Sequence, residues 1–100
     1  MSFDTMLRPR SIAVIGASEN PSKVGHAVLA NLLAENFPGD IYPINLKKDT
    51  ILGKKCYPTL KDVPGVIDLA VIIVTREYVL QVVKDCIAKR VPSIITITAG

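Results

Sequence analysis

The stretch Ser11-Ile12-Ala13-Val14-Ile15-Gly16, continued by Ala17-Ser18-Glu19-Asn20-Pro21-Ser22-Lys23-Val24-Gly25, restricts the fold of this chain more than any other feature. Ile12 to Ile15 is apolar without alternation and rich in β-branched residues, as a strand covered on both faces requires. Gly16 ends that strand where the backbone can come close to a ligand. A polar turn then leads into a helix opening at about Ser22 or Lys23. The first N–H groups of such a helix lack intrahelical partners and lie at the positive end of its dipole, which suits a phosphate. Lys23 adds a full positive charge there. The turn is not the dinucleotide fingerprint G-x-G-x-x-G, because Ser18 stands at its third position and the turn is longer.

The remaining segments read as elements placed around this unit. Phe3 to Leu7 can form one helical turn that Pro9 closes. The first long helix runs to Asn36, with Gly25, Val28, Leu29, Leu32 and Leu33 on the face toward the sheet and Ala27, Ala30, Asn31 and Ala34 on the other. Gly25 lies on the inner face, so close helix-to-strand approach explains it. The breaker cluster Asn36-Phe37-Pro38-Gly39-Asp40 ends the helix, and Ile41 to Asn45 forms strand two. Leu46 to Gly65 reads as loop, with a short third strand at Lys55 to Tyr57 that Pro58 curtails and a short helix over Thr59 to Val63. Thr59 is its expected N-cap, with Asp62 in the first turn. Leu69 to Val74 is the central strand. Arg76 to Arg90 forms the last helix, turning Val79, Val82, Val83, Cys86 and Ile87 inward and Gln81, Lys84, Asp85 and Lys89 outward. Pro92 stops it, and Ser93 to Thr98 is the fifth strand.

Strands alternating with helices imply a doubly wound parallel α/β sheet, since right-handed crossovers cover both faces. With the short third strand at the edge, the order is 3-2-1-4-5. Ligands in such sheets bind at the carboxyl ends of the strands where the winding reverses, here between strands one and four. That point gathers Gly16 to Lys23, Thr75 with Arg76, and Thr98 to Gly100, flanked by Asn45 to Lys48.

Composition narrows the ligand. A hundred residues, 49% of them hydrophobic, make one small domain with a real core. The net charge of +3 favours small anions, but the basic residues are scattered and only 5% of the chain is aromatic, which argues against a nucleic-acid face. Cys56 and Cys86 form no C-x-x-C pair and suggest neither a disulfide framework nor a zinc site; they fit a reducing cytoplasm. Met1 to Arg10 carries Asp4, Arg8 and Arg10 without an apolar run, and no segment approaches the ~20 apolar residues of a membrane span. A soluble, cytoplasmic protein without a membrane partner is expected.

The end of strand two separates candidate ligands. A protein that binds NAD normally places Asp or Glu there to hold the ribose hydroxyls. This chain has Asn45-Leu46-Lys47-Lys48, so the expected ligand carries a phosphate on its ribose, as coenzyme A does at the 3′ position and NADP at the 2′ position.

These residues together carry a resemblance. Arg8-Pro-Arg-Ser-Ile-Ala-Val-Ile-Gly-Ala-Ser18, Lys23 with Gly25, Ile41-Tyr-Pro-Ile-Asn45, Lys47, Ile51-Leu-Gly53, Cys56-Tyr-Pro58, Asp68-Leu-Ala-Val-Ile72 and Ile94-Ile-Thr-Ile-Thr-Ala-Gly100 resemble the N-terminal coenzyme A-binding domain of NDP-forming acyl-CoA synthetases. More distantly, the chain is similar to the α subunit of succinyl-CoA synthetase. The resemblance implies a Rossmann-like fold in which Gly16, Ala17, Ser18, Lys23, Val24 and Gly25 hold the diphosphate and Lys47 or Lys48 meets the ribose phosphate. It also implies that the ends of strands four and five, namely Val74, Thr75, Arg76, Ile97, Thr98 and Ala99, line the adenosine and pantetheine. Thr75-Arg76 replaces the Pro-Ala of many members, and Leu46 replaces the proline of Asn-Pro-Lys. The family's phosphohistidine chemistry belongs to a later domain, so the resemblance implies a fragment whose partners are the remaining ligase domains or a β subunit with an ATP-grasp fold, with oligomerisation open.

Other conspicuous residues have plainer readings. His26 reads as a helix-edge residue without the loop a phosphohistidine needs, Cys86 as core, Cys56 as structural, and Lys54 and Lys55 as solvated loop. Thr75 reads as an N-cap. No catalytic residue or metal site is expected in the chain, which alone should neither form ADP nor make a thioester. Three functions are compatible: the coenzyme A-binding domain of an ADP-forming acetyl- or acyl-CoA ligase, the related regulatory part of a protein acetyltransferase, or an NADP-binding oxidoreductase domain.

Overall fold

The computed structural model describes residues 8–97, so the expected turn over Phe3 to Leu7 and the site residues Thr98 and Ala99 lie outside the described residues. β1 (Ser11–Ile15) pairs in parallel with β2 (Asp40–Ile44) on one side and β5 (Leu69–Ile72) on the other, and β5 pairs with β6 (Ser93–Thr96). The order is therefore β2-β1-β5-β6, with the expected reversal of winding between β1 and β5.

The unalternating apolar runs are explained by cover on both faces. Ile12 and Val14 of β1 join Val71, Ile73 and Leu29 in one buried cluster, Leu29 being supplied by α1 (Val24–Ala34). Ala13 and Ile15 join Ala70, Ile72, Leu60 and Cys86 in the other, Cys86 being supplied by α2 (Arg76–Ala88). Successive strand residues thus feed opposite layers. Leu29 is fully buried, which stabilises by about 1.5–3 kcal/mol relative to exposure.

The third expected strand is reduced to one parallel bridge, Ile44 with Tyr57, on the outer side of β2. Its edge position agrees with the expected order, but the ladder does not extend. Pro43 turns its nitrogen side outward, where its carbonyl accepts from Tyr57 N–H at 3.0 Å but it has no N–H to give, and Pro58 follows Tyr57. A tight hairpin stands where a loop was expected: β3 (Thr50–Ile51) runs antiparallel to β4 (Lys54–Lys55). Leu52 and Gly53 make its turn with φ of 52° and 80°, both in the left-handed region. The Lys55 ammonium lies 5.2 Å from the centre of the Tyr57 ring.

The short helix is a single 3-10 turn, Leu60–Asp62. The Asp62 carboxylate accepts from the Thr59 N–H at 3.1 Å and from its hydroxyl at 2.7 Å, fastening the turn at its start. Both long helices are shorter than expected and end in Schellman motifs. In α1, Asn36 N–H reaches Leu33 C=O and Phe37 N–H reaches Leu32 C=O; in α2, Arg90 N–H reaches Ile87 C=O and Val91 N–H reaches Cys86 C=O. Asn36 and Arg90 take the left-handed position, so α2 stops before Pro92 is reached. The inward assignment of Ile87 is also corrected, since it is 67% exposed. Cys86, its neighbour, holds the position facing the sheet.

Ser11 ties the amino ends of the strands together. Its hydroxyl donates to Val66 C=O at 2.7 Å and accepts from Asp68 N–H at 2.9 Å. These bonds link β1 to the segment leading into β5 at the amino ends, while the opening beside the glycine turn lies at the carboxyl ends.

Candidate functional site

The backbone itself makes the floor of the opening. Gly16 has φ of +98°, and a Cβ there would stand 1.9 Å from the Ile73 carbonyl oxygen. A Cβ on Gly25 would stand 2.0 Å from the Gly16 carbonyl oxygen. Three main-chain segments, the ends of β1 and β5 and the start of α1, thus touch without intervening side chains. The close helix-to-strand approach expected for Gly25 is present.

The turn from Ala17 to Lys23 is organised by Asn20. Its N–H donates to Ser18 Oγ at 3.0 Å, and its Oδ1 accepts from the Ser22 N–H at 3.0 Å and the Ser22 hydroxyl at 2.9 Å. Its carbonyl accepts from Lys23 N–H at 3.0 Å. Ser18 thus shapes the turn as well as facing the opening. Two side chains from outside hold the turn's carbonyls: Asn45 Nδ2 donates to Ala17 C=O at 2.9 Å, and His26 Nδ1 meets Ser18 C=O at 3.1 Å. Lys23 occupies the N-cap position of α1 with extended backbone and makes no side-chain cap, so the first N–H groups of the helix are not closed by it.

A cleft of about 600 Å³ lies over this floor. Among the residues expected at the site, Gly16, Ala17, Ser18, Lys23, Val24, Gly25, Val74 and Thr75 line it. Lys47, Lys48, Arg76 and Ile97 do not. Lys47 and Lys48 extend from the rim beyond Asn45, whose Oδ1 accepts both of their N–H groups at 2.8 and 3.1 Å. The Lys48 ammonium pairs with Glu19 at 2.7 Å, and that carboxylate holds it above the usual lysine range. Lys47 has no ion-pair partner among the described residues. Arg76 opens α2 on the exposed surface. Ile97 continues the β6 ladder, donating its N–H to Ile72 C=O at 2.8 Å, and packs against the α1-side cluster.

Thr75 is the N-cap residue of α2 by position, but its hydroxyl donates to Glu77 at 3.1 Å. The expected side-chain cap is absent. Ser22 and Asn45, expected within and beside the switch point, also line the cleft, as do Ile73 and Tyr78, which sequence reasoning missed as site residues. Tyr78 had a signal: it lies one turn after Thr75, at the start of a helix leaving the switch point. Tyr78 and Val74 also border a second, mainly apolar recess of about 260 Å³, shared with Leu46, Pro58 and Leu60. Among the described residues no helix is long and apolar enough to cross a membrane.

Comparison with known proteins agrees with this geometry. The family described as CoA binding domain matches residues 10–99. The α subunit of ADP-forming acetate–CoA ligase II from Pyrococcus furiosus is 42% identical over 98 residues, which are 98% of this chain and 21% of that protein. The ADP-forming acetate–CoA ligase of Methanocaldococcus jannaschii is 49% identical over 92 residues, 92% of this chain and 13% of that one. Acetyl-coenzyme A synthetase 1 of Ca. Korarchaeum cryptofilum, solved in complex with phosphate and ADP, superposes with a TM-score of 0.94 at 44% identity, covering 99% of this chain and 21% of that one. The chain therefore spans between about an eighth and a fifth of the length of these relatives. A match over residues 10–99, on a parallel sheet that opens at its β1–α1 turn, settles the kinship: this chain belongs to the CoA-binding domain family.

Proposed function

We propose that this chain is the coenzyme A-binding domain of an ADP-forming acyl-CoA ligase, working with further ligase domains or with a β subunit of ATP-grasp fold. The parent reaction would be the reversible conversion of acyl-CoA, ADP and phosphate to acid, CoA and ATP. The chain's own part is to bind and orient CoA. The cleft floored by Gly16 and Gly25 at the carboxyl ends of β1 and β5 carries this reading, because main chain and helix start can meet a diphosphate there without side chains in the way.

In this proposal Gly16, Ala17, Ser18, Lys23, Val24 and Gly25 surround the diphosphate. Lys47, whose ammonium is not engaged by a carboxylate among the described residues, meets the 3′-phosphate, while Lys48 braces the turn through Glu19. Val74, Thr75 and Arg76 serve the adenosine side, and Ile97, Thr98 and Ala99 the pantetheine. Calorimetric titration with CoA, dephospho-CoA, NADP and NAD tests the reading. CoA should bind tightest, and loss of one charge-assisted phosphate contact should weaken dephospho-CoA by roughly 10- to 100-fold. Tighter binding of NAD or NADP than CoA would overturn it, and equal affinity for CoA and dephospho-CoA would remove Lys47 from the site.

A further inference from the structure

We infer that His26 is a positioning residue that fixes the orientation of the turn's Ser18–Glu19 peptide for binding an anion, a role that rests on the coenzyme A reading above. His26 lies in the first turn of α1 and is half-buried, eight residues beyond Ser18 in sequence. Its Nδ1 is 3.1 Å from Ser18 C=O. A carbonyl can only accept, so the contact requires the proton on Nδ1. The bond anchors the helix that ends the turn to the middle of the turn itself.

The consequence follows from peptide geometry. In a trans peptide the C=O and the N–H point in opposite directions. With Ser18 C=O drawn to His26, Glu19 N–H points away from His26, and it has no hydrogen-bond partner among the described residues. Asn45 treats the preceding peptide in the same way, drawing Ala17 C=O aside at 2.9 Å. Two successive carbonyl oxygens, the groups that would repel a phosphate, are thus occupied by side-chain donors. The N–H groups of these two peptides, Ser18 and Glu19, are left without a partner among the described residues because their carbonyls are held elsewhere. Releasing Ser18 C=O lets that peptide rotate and offer an acceptor in place of a donor.

The test uses His26→Ala, His26→Asn and His26→Gln in this chain, titrated with CoA and melted without ligand. Asn places an amide nitrogen where Nδ1 stands, whereas Gln carries its amide one bond farther out. Loss of one such hydrogen bond should weaken CoA binding by about tenfold in His26→Ala. His26→Asn should restore most of the affinity, and His26→Gln should not. Nitrogen NMR of the wild-type imidazole should show the proton on Nδ1. Unchanged affinity in His26→Ala, or equal rescue by Asn and Gln, overturns the inference. Inorganic pyrophosphate, followed through the Ser18 and Glu19 amide shifts, separates this idea from the coenzyme A reading. If the wild type takes pyrophosphate but not CoA, the CoA reading fails and the same variants still decide on His26; if it takes neither, both fall.

Discussion

The two flanks of the sheet are built on different principles. On the α1 side, at the β1 turn, main chain lies directly on main chain: Gly16 against Ile73, Gly25 against Gly16, with side-chain hydrogen bonds from Asn45 and His26 bracing the turn. On the α2 and β6 side, Leu80 and Ile87 of α2 are each 67% exposed, and Ile94 and Ile95 of β6 are partly open as well. One flank is specified by backbone distance, where a single added carbon has no room. The other presents apolar surface among the described residues and gives its side chains room to vary. A site that must bring N–H groups to an anion depends on the first kind of construction, because peptide orientation fails with small displacements.

The contrast can be broken most directly at Gly16. Gly16→Ala combines a clash with the Ile73 carbonyl and a backbone conformation that L-residues rarely adopt. It should destabilise by about 3 kcal/mol or more in urea denaturation, and a loss under about 1 kcal/mol would show that the floor yields. Gly25→Leu, with only the clash to bear, should cost about 1–3 kcal/mol and weaken CoA binding at the same time. An unchanged melting temperature there would mean that α1 stands off the strand.

A smaller effect should come from the fully buried Cys86, on the inner face of α2. Burial, with the Asp85 charge adding to it, pushes its thiol up to about 11 from an ordinary 9.0. The unfolded chain ionises first, so the neutral buried thiol supports the native state fully below about pH 9 and this support drains away as pH rises toward 11. Denaturation midpoints should therefore fall over that window, and fall less steeply in Cys86→Ala; identical slopes would contradict the burial argument. The smallest change belongs to its neighbour. Ile87→Lys should alter stability by no more than about 0.5 kcal/mol, and a larger loss would show that the outer face of α2 is packed.

Much of the fold was legible because local pattern and tertiary need coincide. The apolar runs of β1 and β5 announced strands buried on both faces, the sheet-facing residues of α1 followed from helical spacing, and Gly25 could be read as a contact glycine before any contact was seen. The misreadings lie where the deciding interaction is remote. Tyr57 stays a single bridge because of what Pro43 withholds on the neighbouring strand, and Ile87 turns outward because Cys86 takes the inner position of α2. The β3–β4 hairpin escaped notice because Leu52-Gly53 lacks the Asn or Asp that usually marks such a turn.

For the site, sequence by itself determined the strand–turn–helix unit, the glycines at its two contacts and the basic residues after β2, since these depend on periodicity, steric allowance and charge. Only the tertiary structure decided that Asn45 and His26 hold the turn's carbonyls, that Lys48 is joined to Glu19 while Lys47 stays clear of it, and that Tyr78 reaches the cleft. The physical reason is direction. Residue type fixes what a side chain can donate, accept or fill, but where that capacity points is set by strands and helices far apart in the chain, once the sheet has brought their ends together.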